Sequence, residues 1–82
     1  MREVDLHDIS LLNELIDGEH TTKMTGKTVK NFQLDRKINA IHRRLRFLES
    51  VGYVQRGFPI QNAVTYFITE EGIKFCRYAS NS

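Results

Sequence analysis

Arginine and asparagine side chains recur at helical spacing in the middle of the chain. Arg36, Asn39 and Arg43 are three and four residues apart, so on one helix they project from the same side. Arginine donates in a fork to guanine O6 and N7, and asparagine pairs in two ways with adenine. Ala40 lies between them and leaves room for the groove floor or a thymine methyl group. We therefore predict that these four side chains read base pairs of a DNA duplex.

A helix over residues 36–51 is predicted to carry these four side chains. Its aliphatic residues form one stripe: Ile38, Ile41, Leu45 and Leu48. This spacing is typical of an amphipathic helix whose striped side faces the core. Asp35 is a favourable N-cap, and Gly52 is a favourable C′ residue. Each residue is rotated by about 100° from the one before it, which places the four base-reading candidates opposite the stripe.

Charge is distributed unevenly along the 82 residues, although the formal net charge is only +2. Residues 1–22 hold six acidic residues and one arginine. Residues 23–56 hold nine Lys or Arg residues against two acidic ones, and residues 57–82 are balanced. No acidic residue lies between Arg36 and Arg46, so this helix lacks the alternating Glu and Lys pairs of an ordinary solvated face. A basic segment of this kind attracts polyanions.

Two further helices are predicted near the ends of the chain. Residues 8–17 place aliphatic side chains on one helical face, with Asp8 as the expected cap and Gly18 as the expected C′ residue. Thr69 is the expected cap of a C-terminal helix over about residues 70–79, which opens with two glutamates where the helix dipole favours acids.

The other two segments are less regular. Residues 19–34 are rich in threonine and favour a loop, but Val29 and Phe32 are spaced for a short helix that rests on the core. Residues 53–68 change to strand-like patterns around a turn that contains glycine, proline and asparagine. Alternation in the second strand is expected to point two sets of side chains in opposite directions: Val64, Tyr66 and Ile68 on one face, and Ala63, Thr65 and Phe67 on the other. We predict a two-stranded hairpin here.

Two phrases in the chain resemble those of the stand-alone winged helix-turn-helix regulators of bacteria, archaea and their viruses. The phrase at 47–54, "FLESVGYV", fits the xxLxxxGxV ending of their recognition helix, and "ITEEG" at 68–72 fits their closing xxTxxG. The resemblance covers about residues 8–78. It implies an α+β, mostly helical fold with three helices, a two-stranded hairpin wing and a C-terminal helix. It also implies double-stranded DNA binding, with the 36–51 helix in the major groove.

Phosphate contacts are expected around this recognition helix, because half to two-thirds of protein–DNA hydrogen bonds go to the backbone. The candidates are Lys27, Thr28, Lys30, Lys37, Arg44, Arg46, Arg56, Gln61 and Asn62. One module contacts only a few base pairs. Proteins of this kind usually bind as dimers to two-fold symmetric sites, which doubles the number of base pairs contacted. We therefore expect a homodimer that acts as a small transcriptional regulator. Its dimer contacts would come from the 8–17 and 70–79 helices.

A protein-interaction module within a larger assembly is the alternative, with Phe47, Phe58 and Ile60 as its anchors. Phe47 lies on the outward side of the predicted helix, where it would pack under the N-terminal arm or in a dimer interface. Phe58 and Ile60 lie near the hairpin tip, in a place expected to be wet. We expect them to fold back onto the sheet; the other possibility is that they mark a contact surface.

Other chemistries have little support. Cys76 is the only cysteine, which excludes an internal disulfide, and its neighbours indicate a packed thiol in a reducing cytoplasm. The three histidines, His7, His20 and His42, have no metal-binding spacing with one another or with the cysteine. The "TGKT" at 25–28 lacks the upstream glycine of a phosphate-binding loop. We expect no enzyme activity, no cofactor, no small-molecule ligand, no membrane span and one domain over residues 1–82. We also expect a cytoplasmic location, with the nucleoid if the host is bacterial or archaeal.

Overall fold

The computed structural model describes residues 4–33 and 36–80. Within these ranges the chain forms three α-helices and one antiparallel sheet of three strands. In chain order the elements are α1 (Leu6–Asp17), β1 (Lys27–Thr28), α2 (Ile38–Ser50), β2 (Val54–Arg56), β3 (Thr65–Ile68) and α3 (Glu70–Ser80), with 3₁₀ turns at Lys23–Thr25 and Val29–Asn31. The predicted α+β class is confirmed, with a hairpin followed by a C-terminal helix.

Helix α1 begins two residues earlier than predicted, because Asp5 and not Asp8 is its N-cap. The Asp5 carboxylate accepts from the Asp8 backbone N–H at 2.9 Å, and the Asp8 carboxylate accepts from the Asp5 N–H at 3.0 Å. This reciprocal capping box satisfies two backbone donors that the start of a helix would otherwise leave unpaired. Asp8 is thus inside the helix, in its first turn.

Helix α1 ends in a left-handed residue, but that residue is Glu19 and not the predicted Gly18. Glu19 has a φ of 58°. Its N–H donates to Ile16 O at 3.0 Å, and the His20 N–H donates to Leu15 O at 2.8 Å. These two bonds form a Schellman motif. A Cβ at Gly18 would lie 2.5 Å from Nε2 of the His20 side chain, so that ring would have to shift to admit one.

The segment between α1 and α2 contains less helix than predicted. Val29–Asn31 is a single 3₁₀ turn, and the two residues before it form β1, which pairs with β3. Val29 is half-buried and Phe32 is buried, so both pack on the core as expected. The segment is extended because its backbone bonds go to the sheet. A strand of two residues is too short for any periodic pattern to reveal it.

Helix α2 packs on the core along a shorter stripe than predicted. The buried residues are Ile41, Leu45 and Leu48. Ile38 is 54% exposed, so its predicted place in the core is wrong. The reason is that α2 begins at Ile38 and not at residue 36, which leaves this side chain in the first turn, ahead of the point where the helix meets the core. Periodicity fixes the direction of a side chain but not how far the core extends along the helix.

The two ends of α2 differ in how they are capped. The predicted N-cap, Asp35, lies outside the described residues, and Lys37 occupies the N-cap position without a capping side-chain bond. At the other end Gly52 is confirmed as the left-handed C′ residue, with a φ of 88°. Its N–H donates to Glu49 O, and the Tyr53 N–H donates to Leu48 O. This second Schellman motif turns the chain into β2.

Strand β3 is the centre of the sheet, with β1 on one side and β2 on the other. Val54 pairs with Ile68, and Arg56 pairs with Tyr66. All four residues of β3 are buried, while Val64 just before it is exposed. Both faces of β3 are therefore covered by other elements, so its alternating side chains are buried on either side.

One hydrophobic core joins the three helices and the sheet. Leu11, Leu12 and Leu15 of α1 meet the α2 stripe and Tyr66 there. The lone Cys76 is buried in the same core, as expected, and burial raises the pKa of its thiol. None of the helices in the described ranges is long and apolar enough to cross a membrane.

Thr69 joins the end of α2 to the start of α3. Its hydroxyl accepts from the Gly72 N–H at 3.1 Å, which confirms it as the cap of α3. The same hydroxyl donates to the Gly52 carbonyl at 2.6 Å. The Thr69 N–H also donates to Tyr53 O at 3.0 Å. A Cβ at Gly72 would collide with that carbonyl, so α3 approaches the turn after α2 as closely as a glycine allows.

Candidate nucleic-acid interface

The outward side of α2 carries a shallow groove of about 620 Å³. It is lined by Asn39, His42, Arg43, Arg46, Phe47 and Ser50. The asparagine and the two arginines are exposed, whereas the histidine and the phenylalanine are half-buried. No described carboxylate lines this groove, and neither arginine forms an ion pair with another described residue. The groove therefore presents two guanidinium groups and one carboxamide to solvent.

The four predicted base-reading residues are not all placed alike. Asn39 and Arg43 are one turn apart in the groove, both exposed. Ala40 is half-buried beside them. Arg36 is exposed but precedes α2, since the helix begins at Ile38. The structure thus brings two of the four into one groove and places Arg36 in the segment that leads into it.

Arg44 points inward, which does not fit its predicted contact with phosphate. Its Nε donates to Asp8 Oδ1 at 2.8 Å and its Nη2 donates to Asp8 Oδ2 at 2.5 Å. Asp8 is fully buried. The hydrogen bonds to Asp8 raise the pKa of the Arg44 guanidinium. Arg44 also lies over the Phe47 ring, 4.6 Å from its centroid, so Phe47 packs against this ion pair.

Two predicted phosphate contacts before α2 also have internal partners. Lys27 Nζ lies 2.7 Å from Glu14 Oε2, and both side chains are largely buried. Thr28 is buried, and its hydroxyl accepts from Asn31 Nδ2 at 2.6 Å. Both residues are therefore parts of the fold and not of the exposed surface. Lys30, in the second 3₁₀ turn, remains exposed.

The acids that pair with Lys27 and Arg44 were missed by the sequence interpretation. Asp8 was assigned to a cap, and Glu14 was assigned no partner. Asp8 is 36 residues from Arg44 in the chain. The acidic N-terminal segment beside a basic middle segment was the only signal of this pairing, and it does not say which residues meet.

The wing keeps its predicted polar residues at the surface. Arg56 is exposed and its Nε lies 3.3 Å from Glu49 Oε2 on α2. Gln61 and Asn62 form the turn at the tip, with φ values of 50° and 67°. Both are exposed. Left-handed values at both central residues are typical of a type I′ hairpin turn, which asparagine favours.

The apolar residues of the wing do not fold back onto the sheet, so that expectation is wrong. Phe58 is 59% exposed and Ile60 is 50% exposed. The Phe58 N–H donates to Lys23 O at 2.9 Å, and Ile60 exchanges two backbone hydrogen bonds with Ala63. These bonds hold the segment away from the core. The exposed side chains fit the other possibility, that Phe58 and Ile60 mark a contact surface.

His42 lines the groove and also contacts the core. Its ring lies edge-on to Tyr66, with centroids 5.9 Å apart. The Tyr66 hydroxyl is fully buried, and it has no hydrogen-bond partner among the described residues. Burial raises the pKa of that hydroxyl.

Over residues 4–33 and 36–80, no three His, Cys, Asp or Glu side chains come together as a metal site. No protein-family model matches the sequence, and neither does any curated protein. One solved structure with the same fold is TubR from Bacillus megaterium pBM400. It is 17% identical in sequence, and the alignment covers 99% of this chain and 91% of TubR with a TM-score of 0.84. This likeness confirms the winged helix-turn-helix fold.

Proposed function

We propose that this protein binds double-stranded DNA in a sequence-specific way, as a small transcriptional regulator. The observation that carries the proposal is the groove on α2, where Asn39, Arg43 and Arg46 face solvent without a described carboxylate among them. In winged helix-turn-helix proteins a helix in this position enters the major groove and reads bases with its N-terminal half. Sharing the winged-helix fold with TubR supports the same use of α2.

Base reading is assigned to Arg36, Asn39 and Arg43, with Ala40 at the contact with the groove floor. Asn39 and Arg43 are separated by about 6 Å along the helix axis, since each residue rises about 1.5 Å. That separation spans about two stacked base pairs. A bidentate contact from each side chain contributes about 1–3 kcal/mol of discrimination. Arg36 lies just before the first turn of α2 and would extend the same row of base contacts.

Phosphate contacts are assigned to the exposed residues that flank this line. They are Lys30, Lys37, Arg46, Arg56, Gln61 and Asn62. Lys27, Thr28 and Arg44 are left out because their partners are within the fold. Arg56 would exchange Glu49 for a phosphate, at little cost because that ion pair is exposed.

A homodimer would let two α2 helices read the two halves of a palindromic site. We place its contacts on α1 and α3, where Leu6 is 80% exposed and Tyr78 is 76% exposed. Sedimentation equilibrium of the wild-type protein and of Tyr78→Ser tests this placement. We expect a dimer for the first and a weaker dimer for the second. A monomeric wild type at micromolar concentration would contradict it.

The rival function is a protein-interaction module in a larger assembly, and the exposure of Phe58 and Ile60 favours it. Salt separates the two functions. DNA binding weakens steeply with salt because each phosphate contact releases a counterion, at a slope of about −0.9 per contact in log K against log salt. An apolar protein interface shows no such slope.

A mobility-shift assay on a pool of random duplexes tests the proposed function. Arg43→Ala should weaken binding to the enriched sequences by about 1–3 kcal/mol and relax the preference at one position. Arg77→Ala is the matched control, because Arg77 is an exposed arginine on α3, outside the groove. It should leave sequence preference unchanged. If the wild type shifts no duplex at low salt, the proposed function is wrong.

A further inference from the structure

The wing tip presents three apolar residues to solvent, and none of them belongs to the hydrophobic core of the described residues. Phe58, Pro59 and Ile60 are all exposed. Gln61 and Asn62 follow them directly at the turn. Apolar wedges of Phe, Ile and Pro next to Asn or Gln are the side chains with which proteins open base steps from the minor groove. The composition of this tip therefore matches a nucleic-acid wedge.

Hydrogen bonds fix the wing tip on the sheet. The Gly57 N–H donates to Thr65 O at 3.1 Å, and the Thr65 hydroxyl donates to Phe58 O at 2.9 Å. Farther out, Ile60 and Ala63 close the hairpin with backbone bonds of 3.1 and 2.9 Å. A wedge has to transmit force to a stacked base step. A tip that is fixed on the sheet is suited to this role, whereas a flexible loop is not.

Charge around the tip favours an anionic partner. From residue 50 to residue 69 the chain has one charged side chain, Arg56, and no acid. A groove of about 370 Å³ beside the tip is lined by Lys30 and Asn31 on one side and by Ile60 and Gln61 on the other. A sugar–phosphate backbone that passes along this groove would meet a cation and two amides without a repelling carboxylate.

The tip also lies on the side of the molecule that the proposed function assigns to DNA. Strand β2 begins just after α2 ends, and Tyr66, opposite Arg56, contacts His42 of α2. The chain therefore runs back along α2 as it leaves the sheet. Ile60 itself lies beside Lys30, an assigned phosphate contact, in the 3₁₀ turn that packs against α2.

We propose that the wing tip is a minor-groove wedge: Phe58 and Ile60 insert at a base step beside the site that α2 reads, and the duplex bends there. This inference rests on the proposed DNA binding and adds deformation of the DNA to it. Wedges of this type bend duplexes by about 20–90°. Sequence preference at that step would then follow ease of unstacking, with pyrimidine–purine steps favoured.

The test uses a 30-base-pair duplex enriched from a random pool by the full-length wild-type protein. Energy transfer between dyes on its two ends reports bending, and 2-aminopurine substituted at each adenine in turn reports unstacking. We expect the wild type to bend the duplex by at least about 20° and to raise the fluorescence at one step. A mismatch at that step should tighten wild-type binding about tenfold, because the step is already open.

The variant Phe58→Ser with Ile60→Ser should lose the bend, the fluorescence change and the preference for the mismatch. Val51→Ser is the matched control, since Val51 is exposed at the far end of α2, and it should keep all three. Circular dichroism checks folding, and Ile60→Thr alone replaces the double variant if that one unfolds.

Two outcomes separate this inference from the proposed function. Wild-type protein that binds the duplex tightly without bending or unstacking it would overturn the wedge and leave DNA binding in place. Equal bending by the double variant would do the same. Wild-type protein that binds no duplex at all would overturn both.

Discussion

The ion pair between Asp8 and Arg44 should dominate the stability of the contact between α1 and α2. Replacing Arg44 by methionine leaves the Asp8 carboxylate fully buried with only the Asp5 N–H as a remaining described donor. Removing one partner of a buried ion pair costs about 3–5 kcal/mol, because the remaining charge is uncompensated. Small domains have a free energy of unfolding of only about 5–15 kcal/mol. We therefore expect Arg44→Met to lose a large part of the stability.

Replacing Asp8 by asparagine should cost less. The amide oxygen still accepts from the Asp5 N–H, and the Arg44 side chain is 18% exposed, so its guanidinium keeps some contact with water. Asp8 Oδ2 accepts from both the Asp5 N–H and Arg44 Nη2. An amide oxygen in its place therefore loses only the bond from Arg44 Nε, which suggests about 1.5–3 kcal/mol. In the double variant neither residue leaves an unpaired buried charge, so its cost should fall well below the sum of the two single costs.

Urea unfolding followed by circular dichroism measures all four free energies. Arg43→Met is the matched control, because Arg43 is the exposed neighbour of Arg44 and should change the free energy of unfolding by no more than about 0.5 kcal/mol. The reasoning fails if Arg44→Met costs less than about 1 kcal/mol. It also fails if the two single costs add in the double variant, since the side chains would then not be coupled.

Three further outcomes follow from the local geometry. Glu19→Gly should raise the free energy of unfolding by up to about 1–2 kcal/mol in urea, because glycine removes the left-handed strain at the end of α1; an unchanged or lower value would contradict this. Asp5→Ala should cost about 1 kcal/mol at pH 7. The Asp8 N–H lowers the pKa of Asp5, so the stabilisation is full above the unfolded-state pKa and is lost as pH falls through the folded-state pKa; a difference between variant and wild type that persists at pH 2 would count against it. The Cys76 thiol should react with a disulfide reagent only in urea, because it is buried and burial raises its pKa; fast reaction of the native protein would show that the core opens there.

The parts of the fold that the sequence predicted correctly are those with a periodic or capping signal. Ile41, Leu45 and Leu48 are spaced for one helix face, and Gly52 marks its end by its freedom to take a positive φ. Thr69 was recognised because it precedes two glutamates at the start of a helix. Each of these signals lies within about ten residues of chain, which is the range over which local rules act.

The parts that were wrong depend on contacts between distant residues. Arg44 and Lys27 look like any other basic residues until the acids that neutralise them are located in space. Ile38 continues the stripe in sequence but extends beyond the core. Phe58 and Ile60 are apolar, and only the backbone bonds of the hairpin show that they cannot reach the sheet. The side of α2 that faces outward could be predicted from the sequence. Which basic side chains remain free of partners within the fold could not.

The hydroxyl of Thr69 limits which substitutions position 69 can accept. It must accept a hydrogen bond from the Gly72 N–H and donate one to the Gly52 carbonyl at the same time. Aspartate is as good a cap as threonine but has no proton to donate. It would place its charge against that carbonyl oxygen. Serine is the replacement expected to be tolerated best. Fewer residue types therefore fit position 69 than helix capping alone would allow.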